Sequence, residues 1–137
     1  INSLAKKYNE LEFVLPIHPN PNVYNHKDIL THVKVIDPLS YDECINLIRT
    51  CRTIITDSGG IQEESAFFKK KCIVCRKISE RSEGVGTFAY MCKKPKDLVG
   101  IFESIINSDN FLVDGECPYG DGKAADKILK IFDEDLR

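Results

Sequence analysis

The sequence predicts an α/β fold in which a Rossmann-like parallel sheet carries helices on both faces. Short apolar runs rich in β-branched residues alternate with amphipathic segments that favour helix. Glycines and prolines mark the junctions between these segments. The 137 residues, with 42% apolar and 29% charged content, suit a globular domain with a real core. We therefore expect one domain over residues 1–137.

The elements follow from local patterns. Ser40 and Glu43 have capping-box spacing, so a helix should begin there and run to about Cys51. Pro95 suits the first turn of a helix whose apolar residues recur at helical spacing up to position 106. The expected strands are residues 11–17, 33–36, 53–56, 73–76 and 87–90. The other expected helices are residues 3–8, 24–31, 61–70 and a closing helix around 125–132, with the proline-rich residues 16–22 as a loop.

The turn between the third strand and its helix is the strongest functional feature. A buried strand, two glycines at positions 59 and 60, and a helix-favouring run follow one another. Such a turn directs free N–H groups and the positive helix end at one point, which suits a phosphate. Gly59 and Gly60 permit close approach of a ligand, and Ser58 can donate to it or cap the helix. An ordinary β–α turn with Ser58 as its cap explains the pattern equally well.

Two further residues fit a nucleotide at this turn. Glu64 lies one helical turn after Gly60 and can offer two acceptor oxygens to a vicinal diol such as a ribose. Arg81 lies in the loop after the fourth strand, and a guanidinium matches the oxygens of a diphosphate. Glu80 and Glu83 could instead pair with the arginines of this loop. Beside an anion site, phosphate contact by Arg81 is the favoured interpretation.

His18 is held between prolines at the carboxyl end of the first strand. Ligands of parallel α/β sheets bind beyond the carboxyl ends of the strands. We therefore expect His18, the turn at residues 57–60 and the loop after Cys75 to share one rim. A histidine alone is more often a surface or hydrogen-bonded residue than a functional one.

Composition excludes several classes of protein. The net charge of −2 provides no basic field, so nucleic acid is not an expected partner. No apolar run approaches the roughly 20 residues of a membrane span. The six cysteines include Cys72 and Cys75 at zinc or redox spacing, but no second pair follows. We expect buried, reduced thiols, no metal site, and a cytoplasmic location.

Five motifs follow one another in the sequence. The most specific is Asp57-Ser58-Gly59-Gly60-Ile61-Gln62-Glu63-Glu64, and Pro118-Tyr119-Gly120-Asp121-Gly122 is a second independent one. The other motifs are residues 16–22, 36–39 and 80–84. Together they resemble the carboxyl-terminal half of the non-hydrolysing UDP-N-acetylglucosamine 2-epimerases. The resemblance covers nearly the whole chain. It implies one half of a glycosyltransferase-B-like enzyme with two Rossmann-like domains and UDP-sugar in the cleft between them.

The resemblance also implies roles and partners. Ser58, Gly59 and Gly60 would hold the diphosphate, Glu64 the ribose, and Arg81 the phosphate region, while His18 would line the cleft. The reaction would interconvert UDP-N-acetylglucosamine and UDP-N-acetylmannosamine by elimination and re-addition of UDP, without a redox cofactor. The acid/base carboxylates would lie in an N-terminal domain that this chain lacks. Because the chain opens at Ile1 inside a predicted helix, we expect a fragment of a longer polypeptide. Without the acid/base carboxylates this fragment should be inactive alone. The resemblance implies that the full-length protein is a homodimer.

The chain departs from the family pattern in four places, which include Ser82 in place of a proline and a shortened loop from Gly84 to Thr87. Lys77-Ile78-Ser79 stands where the family usually has an acidic residue and two threonines, and Cys44 replaces an aromatic that packs near the uracil. These changes leave the diphosphate site intact but affect sugar identity and base stacking. The alternatives are a sibling epimerase on a modified UDP-sugar, a UDP-sugar glycosyltransferase domain, and a non-catalytic UDP-sugar-binding module.

Overall fold

The structure, a computed structural model, describes residues 1–108 and 110–135. The chain divides into two compact units, residues 1–44 and 45–137. The expectation of one UDP-binding domain over residues 1–137 stays a prediction. In the part of the chain that is described, no helix is long and apolar enough to cross a membrane.

The first unit contains one pair of parallel strands. The elements in order are α1 (Asn2–Lys7), β1 (Val14–Pro16), α2 (Pro21–Tyr24), a 3-10 helix (Lys27–Ile29) and β2 (Lys34–Ile36). β1 pairs with β2 in parallel, with Leu15 opposite Val35. Leu4, Ala5 and Ile17 are buried in this unit.

Helix α3 (Tyr41–Thr50) runs across the boundary between the units. Its predicted capping box is confirmed, because the Ser40 N–H donates to Glu43 Oε2 (2.8 Å) and the Glu43 N–H donates to Ser40 Oγ (3.4 Å). These reciprocal bonds satisfy donors that the helix itself cannot.

The second unit contains a three-stranded parallel sheet in the order β3-β4-β5. Its core is formed by β4, whose three residues are fully buried, together with Phe102 and Ile105 of the helix over Leu98–Ile106. The elements are β3 (Ile54–Thr56), α4 (Gly59–Phe67), β4 (Cys72–Val74), β5 (Ala89–Met91), a 3-10 helix (Pro95–Asp97), α5 (Leu98–Ile106) and α6 (Ala124–Asp135).

Three expectations about elements are wrong. The helix predicted at 24–31 is instead α2, which begins at Pro21, followed by the short 3-10 helix. Asn20 Oδ1 accepts the Asn22 N–H and caps α2, and Pro21 suits its first position, so the proline-rich run starts a helix. Strand β4 ends at Val74 rather than Arg76, which leaves Cys75 outside the sheet.

Cys75 also departs from the expectation of buried thiols. Cys72 and Cys92 are buried, and Cys44, Cys51 and Cys117 are half-buried, whereas Cys75 is exposed. No disulfide joins any of the six cysteines, all of which lie in the described part of the chain. The exposed position follows from the early end of β4, because a residue beyond the strand leaves the apolar layer.

Candidate functional site

The turn after β3 places the first N–H groups of α4 beyond the sheet. The Ser58 N–H donates to Thr56 Oγ1 (3.0 Å), and Ser58 Oγ accepts the Ile61 N–H (3.5 Å). Ser58 is therefore the cap of α4, and its hydroxyl keeps its own proton for donation. The N–H groups of Gly59 and Gly60 lie in the first turn, where an α-helix provides no acceptor. Gly60 is exposed, and Gly59 is half-buried.

Gly59 is the point at which the loop after β4 approaches the helix. A Cβ atom on Gly59 would lie 3.1 Å from Glu80 Oε1 and 3.2 Å from Arg81 Cζ. A Cβ atom on Gly60 would meet only Ser58 Oγ, at 3.8 Å. The missing side chain at position 59 therefore lets the Arg81 guanidinium lie directly against the start of α4.

Arg81 is bound by two carboxylates in this position. Its Nε donates to Glu63 Oε1 (2.5 Å) and its Nη1 donates to Glu80 Oε1 (2.6 Å). Hydrogen bonding to Glu63, followed by the attraction of both carboxylates, raises the pKa of Arg81 above its ordinary value. Glu80 also pairs with Arg76 (3.0 Å). From the sequence, phosphate contact and pairing with a carboxylate were alternatives for Arg81. In the structure Arg81 lies beside the turn and is also paired with Glu63 and Glu80.

Glu64 lies one turn along α4 from Gly60, as the spacing predicts. Its side chain is half-buried. Within residues 1–108 and 110–135, no hydrogen bond or ion pair engages its carboxylate. Both oxygens of this carboxylate are therefore available to a diol.

Sequence reasoning missed a buried amide beneath this site. Gln62 is 0% exposed, and its Nε2 donates to the Arg81 carbonyl oxygen (2.8 Å) and to Tyr119 Oη (3.3 Å). Ser79 Oγ donates to Gln62 Oε1 (2.8 Å), and Tyr119 Oη donates to the Arg81 carbonyl oxygen (3.1 Å). Gln62 and Tyr119 both lie in recognised motifs, but their spacing gave no sign that they meet.

His18 belongs to the first unit, whereas the other five candidate residues belong to the second. The Asn20 N–H donates to His18 Nδ1 (3.1 Å). This bond assigns the proton of a neutral ring to Nε2, so the exposed ring presents a donor. That His18 shares a rim with the turn stays a prediction.

The first unit also holds a cavity of about 370 Å³ at the ends of β1 and β2. Its polar groups include Lys27, whose Nζ donates to Tyr24 Oη (2.8 Å) and lies 4.1 Å from the centre of the Tyr24 ring. The cavity is lined by Ile17, Tyr24, Lys27, Val35, Ile36 and Asp37.

Comparisons with known proteins agree on one family. The model of a family described as UDP-N-acetylglucosamine 2-epimerase matches residues 1–133. A UDP-N-acetylglucosamine 2-epimerase from Salmonella borreze is 34% identical over 142 residues, a match that covers 96% of this chain and 38% of that protein. The chain thus spans less than two fifths of this relative's length.

Solved structures match the fold over nearly the whole chain. The UDP-GlcNAc 2-epimerase from Neisseria meningitidis bound to UDP-GlcNAc matches with a TM-score of 0.82 and 32% identity, over 97% of this chain and 39% of that one. The S. aureus MnaA–UDP structure matches with a TM-score of 0.85 and 29% identity, over 98% of this chain and 38% of that one. These matches confirm the α/β, Rossmann-like fold, and the chain belongs to the UDP-N-acetylglucosamine 2-epimerase family.

Proposed function

We propose that this chain is the nucleotide-binding part of a UDP-N-acetylglucosamine 2-epimerase. The observation that carries the proposal is the start of α4, where Gly59 and Gly60 lie in the first turn and the Arg81 guanidinium lies against Gly59. Amides at a helix end together with a cation are the groups that bind a diphosphate. Solved relatives bound to UDP-GlcNAc or UDP support the same ligand.

Each candidate residue has a role in this proposal. The hydroxyl of Ser58 and the amides of Gly59 and Gly60 donate to the diphosphate oxygens. Arg81 adds positive charge once a phosphate replaces one of its carboxylate partners. The unengaged carboxylate of Glu64 accepts from the ribose hydroxyls, and the proposed place of His18 is the lining of the cleft.

The proposed chemistry assigns this chain to the leaving group. The bond between C1 of the sugar and the diphosphate oxygen breaks, the C2 proton is removed, and UDP departs with the bonding electrons. Re-addition of UDP with protonation of C2 from the opposite face gives the manno epimer. Donors fixed in advance where negative charge develops lower this barrier. The groups that move the C2 proton are proposed to lie outside these 137 residues.

Proton NMR of the full-length protein with UDP-N-acetylglucosamine in deuterated water tests the proposed function. We expect exchange of the C2 proton for deuterium together with the appearance of the manno epimer. A UDP-sugar that is bound without exchange would indicate the non-catalytic module instead, and transfer of the sugar to an added acceptor would indicate a glycosyltransferase.

Assembly and location are further parts of the proposal. The family resemblance supports a homodimer, and six cysteines without a disulfide among them support a cytoplasmic location. Analytical sedimentation of the full-length protein tests whether it is a homodimer. A monomer at micromolar concentration would contradict the homodimer.

A further inference from the structure

The buried amide of Gln62 joins three separate segments of the chain. We call Gln62, Ser79, Tyr119 and the main chain of Arg81 the polar node. Gln62 lies on α4, Ser79 and Arg81 lie in the loop after β4, and Tyr119 lies before α6. In the described part of the chain, no buried side-chain nitrogen or oxygen lacks a hydrogen-bond partner, so the node is fully satisfied.

The node holds the main chain of Arg81 at both of its polar groups. The carbonyl oxygen accepts from Gln62 Nε2 (2.8 Å) and from Tyr119 Oη (3.1 Å). The N–H donates to Ser79 Oγ (3.2 Å), which in turn donates to Gln62 Oε1. A buried amide that lost any of these partners would be left unsatisfied, which opposes movement of the loop.

Tyr119 reaches the node only because position 84 has no side chain. A Cβ atom on Gly84 would lie 2.6 Å from Tyr119 Oη and 3.2 Å from Cζ. Burial raises the pKa of the Tyr119 hydroxyl above its ordinary value, so the group remains a donor at neutral pH. The motif at residues 118–122 therefore takes part in the arrangement of Arg81, although it lies far from the turn in sequence.

The polar node fixes the point from which the Arg81 side chain extends. From this fixed main chain the guanidinium extends to Gly59, where Cζ lies 3.2 Å from the position of a Cβ atom. Glu63, on the same helix as Gln62, contacts its Nε. An arginine has many rotamers, so a fixed starting point lowers the cost of holding the charge at one place.

We propose that Gln62 and Tyr119 are positioning residues that set the Arg81 guanidinium against the start of α4 for a nucleoside diphosphate. The proposal rests on the proposed nucleotide site. Neither residue touches the ligand, and both act through the main chain of Arg81. Loss of the Tyr119 hydroxyl should weaken UDP binding only as long as Arg81 carries its guanidinium.

A double-mutant cycle on UDP affinity tests this coupling in the full-length protein. Tyr119→Phe should weaken UDP binding about three- to tenfold, the range for one lost hydrogen bond. Arg81→Ala should weaken it further, and Tyr119→Phe should have no added effect in the Arg81→Ala background. Arg81→Ala and Tyr119→Phe should also both reduce the dependence of UDP affinity on salt.

Matched variants separate positioning from general stability. Ser79→Ala removes another member of the node and should act as Tyr119→Phe does. Tyr90→Phe, in strand β5, removes a hydroxyl outside the node and should leave affinity and its salt dependence unchanged.

The outcomes distinguish the two proposals. An equal loss from Tyr119→Phe in both backgrounds, or no loss in either, overturns the positioning role. If Arg81→Ala leaves UDP affinity unchanged, the role of Arg81 in the proposed site is wrong and the positioning role fails with it. A loss of thermal stability in Tyr119→Phe without a change in affinity also overturns the positioning role.

Discussion

The guanidinium of Arg81 meets the carboxylates of Glu63 and Glu80 beside the first glycine of α4. Arg76 also pairs with Glu80, so the charges of the four side chains sum to zero, and a diphosphate competes with these carboxylates for the Arg81 guanidinium. Such partly exposed ion pairs contribute little to stability, because water screens the charges. Exchange of one carboxylate for a phosphate therefore costs little free energy. The pairing of Arg81 with Glu63 and Glu80 is thus compatible with ligand binding.

Ser58→Ala and Glu64→Ala test the diphosphate and ribose contacts. Each should weaken UDP binding about tenfold in the full-length protein, because each removes a hydrogen bond in which one partner is charged. Ser58 donates to a phosphate oxygen, and the Glu64 carboxylate accepts from a ribose hydroxyl. Ser58→Ala should also lose about 1 kcal/mol of stability, because Ser58 caps α4. Isothermal titration measures the first effect and urea unfolding the second.

The controls are a serine and a glutamate elsewhere in the second unit. Ser104→Ala loses only a bond to the Ile101 carbonyl, and Glu116→Ala changes an exposed residue. Both should keep wild-type affinity. Unchanged UDP affinity in Ser58→Ala and Glu64→Ala together would discard these two assignments.

Cys75 is exposed, yet its thiol should react slowly. Burial of the sulfur and the neighbouring Cys92 raise the pKa of Cys75 from 9.0 to about 11. The thiolate is the reactive form, and a higher pKa reduces its amount at pH 8 more than it increases its nucleophilicity, so alkylation at pH 8 should be roughly tenfold slower than for a thiol with the ordinary pKa. The rate should rise about tenfold per pH unit up to about pH 11.

Mass spectrometry of iodoacetamide-treated protein gives the rate at Cys75 as a function of pH. Glutathione in the same solution provides the reference rate. Labelling of Cys75 at pH 8 as fast as that of glutathione would contradict the raised pKa.

Among the elements, α4 begins and ends earlier than the sequence predicted. The sequence predicted a helix at residues 61–70, and the structure has Gly59–Phe67. The helix begins earlier because Ser58 caps it, so both glycines lie inside the first turn. The free amides that define the candidate site are a consequence of this earlier start.

The loop after β4 depends on Gly84. Gly84→Ala should destabilise the protein by about 1–3 kcal/mol, because the new Cβ atom would overlap the Tyr119 hydroxyl in a buried place. Urea unfolding followed by circular dichroism measures the loss. Part of it should be recovered in Gly84→Ala with Tyr119→Phe, which removes the overlapping oxygen.

Gly100→Ala is the matched control. It lies in α5, and a Cβ atom there meets nothing within 4 Å. This substitution should stabilise the protein by about 0.5–1 kcal/mol, as expected for a helix interior. A Gly84→Ala variant as stable as the wild type would show that Tyr119 does not approach position 84 this closely.

At the scale of the whole molecule, the chain corresponds to only part of its relatives. It covers 38% of the Salmonella borreze protein and 39% of the Neisseria meningitidis structure. Helix α6 is amphipathic as predicted, yet its apolar side chains are exposed, with Leu129 63% and Phe132 60% accessible. Periodicity predicts that a helix has an apolar face, but it does not predict what covers that face.

The 137 residues expressed alone should bind UDP without epimerising the sugar. The proposed diphosphate and ribose contacts lie in this chain, whereas the groups proposed to move the C2 proton do not. We expect UDP to shift amide signals of Gly59 and Gly60 in nitrogen-edited NMR, with no deuterium exchange at C2 of UDP-N-acetylglucosamine. Exchange by these residues alone would place the acid/base groups within this chain.

The sequence by itself determined the features that depend on near neighbours. The Ser40–Glu43 capping box and the strand–turn–helix arrangement around Gly59 and Gly60 follow from residues a few positions apart, and the parallel α/β class follows from the alternation of apolar and amphipathic segments. Capping pairs and hydrophobic periodicity can be read from a sequence because they involve near neighbours.

Only the tertiary structure decided how Arg81 is held. Gln62, Arg81 and Tyr119 are far apart in the sequence, and they meet because the strand order brings the loop after β4 beside α4. The pairing of Glu63 with Arg81 and the exposure of Cys75 were decided in the same way. Hydrogen bonds between distant segments leave no periodic trace in a sequence, because their partners are chosen by packing rather than by spacing.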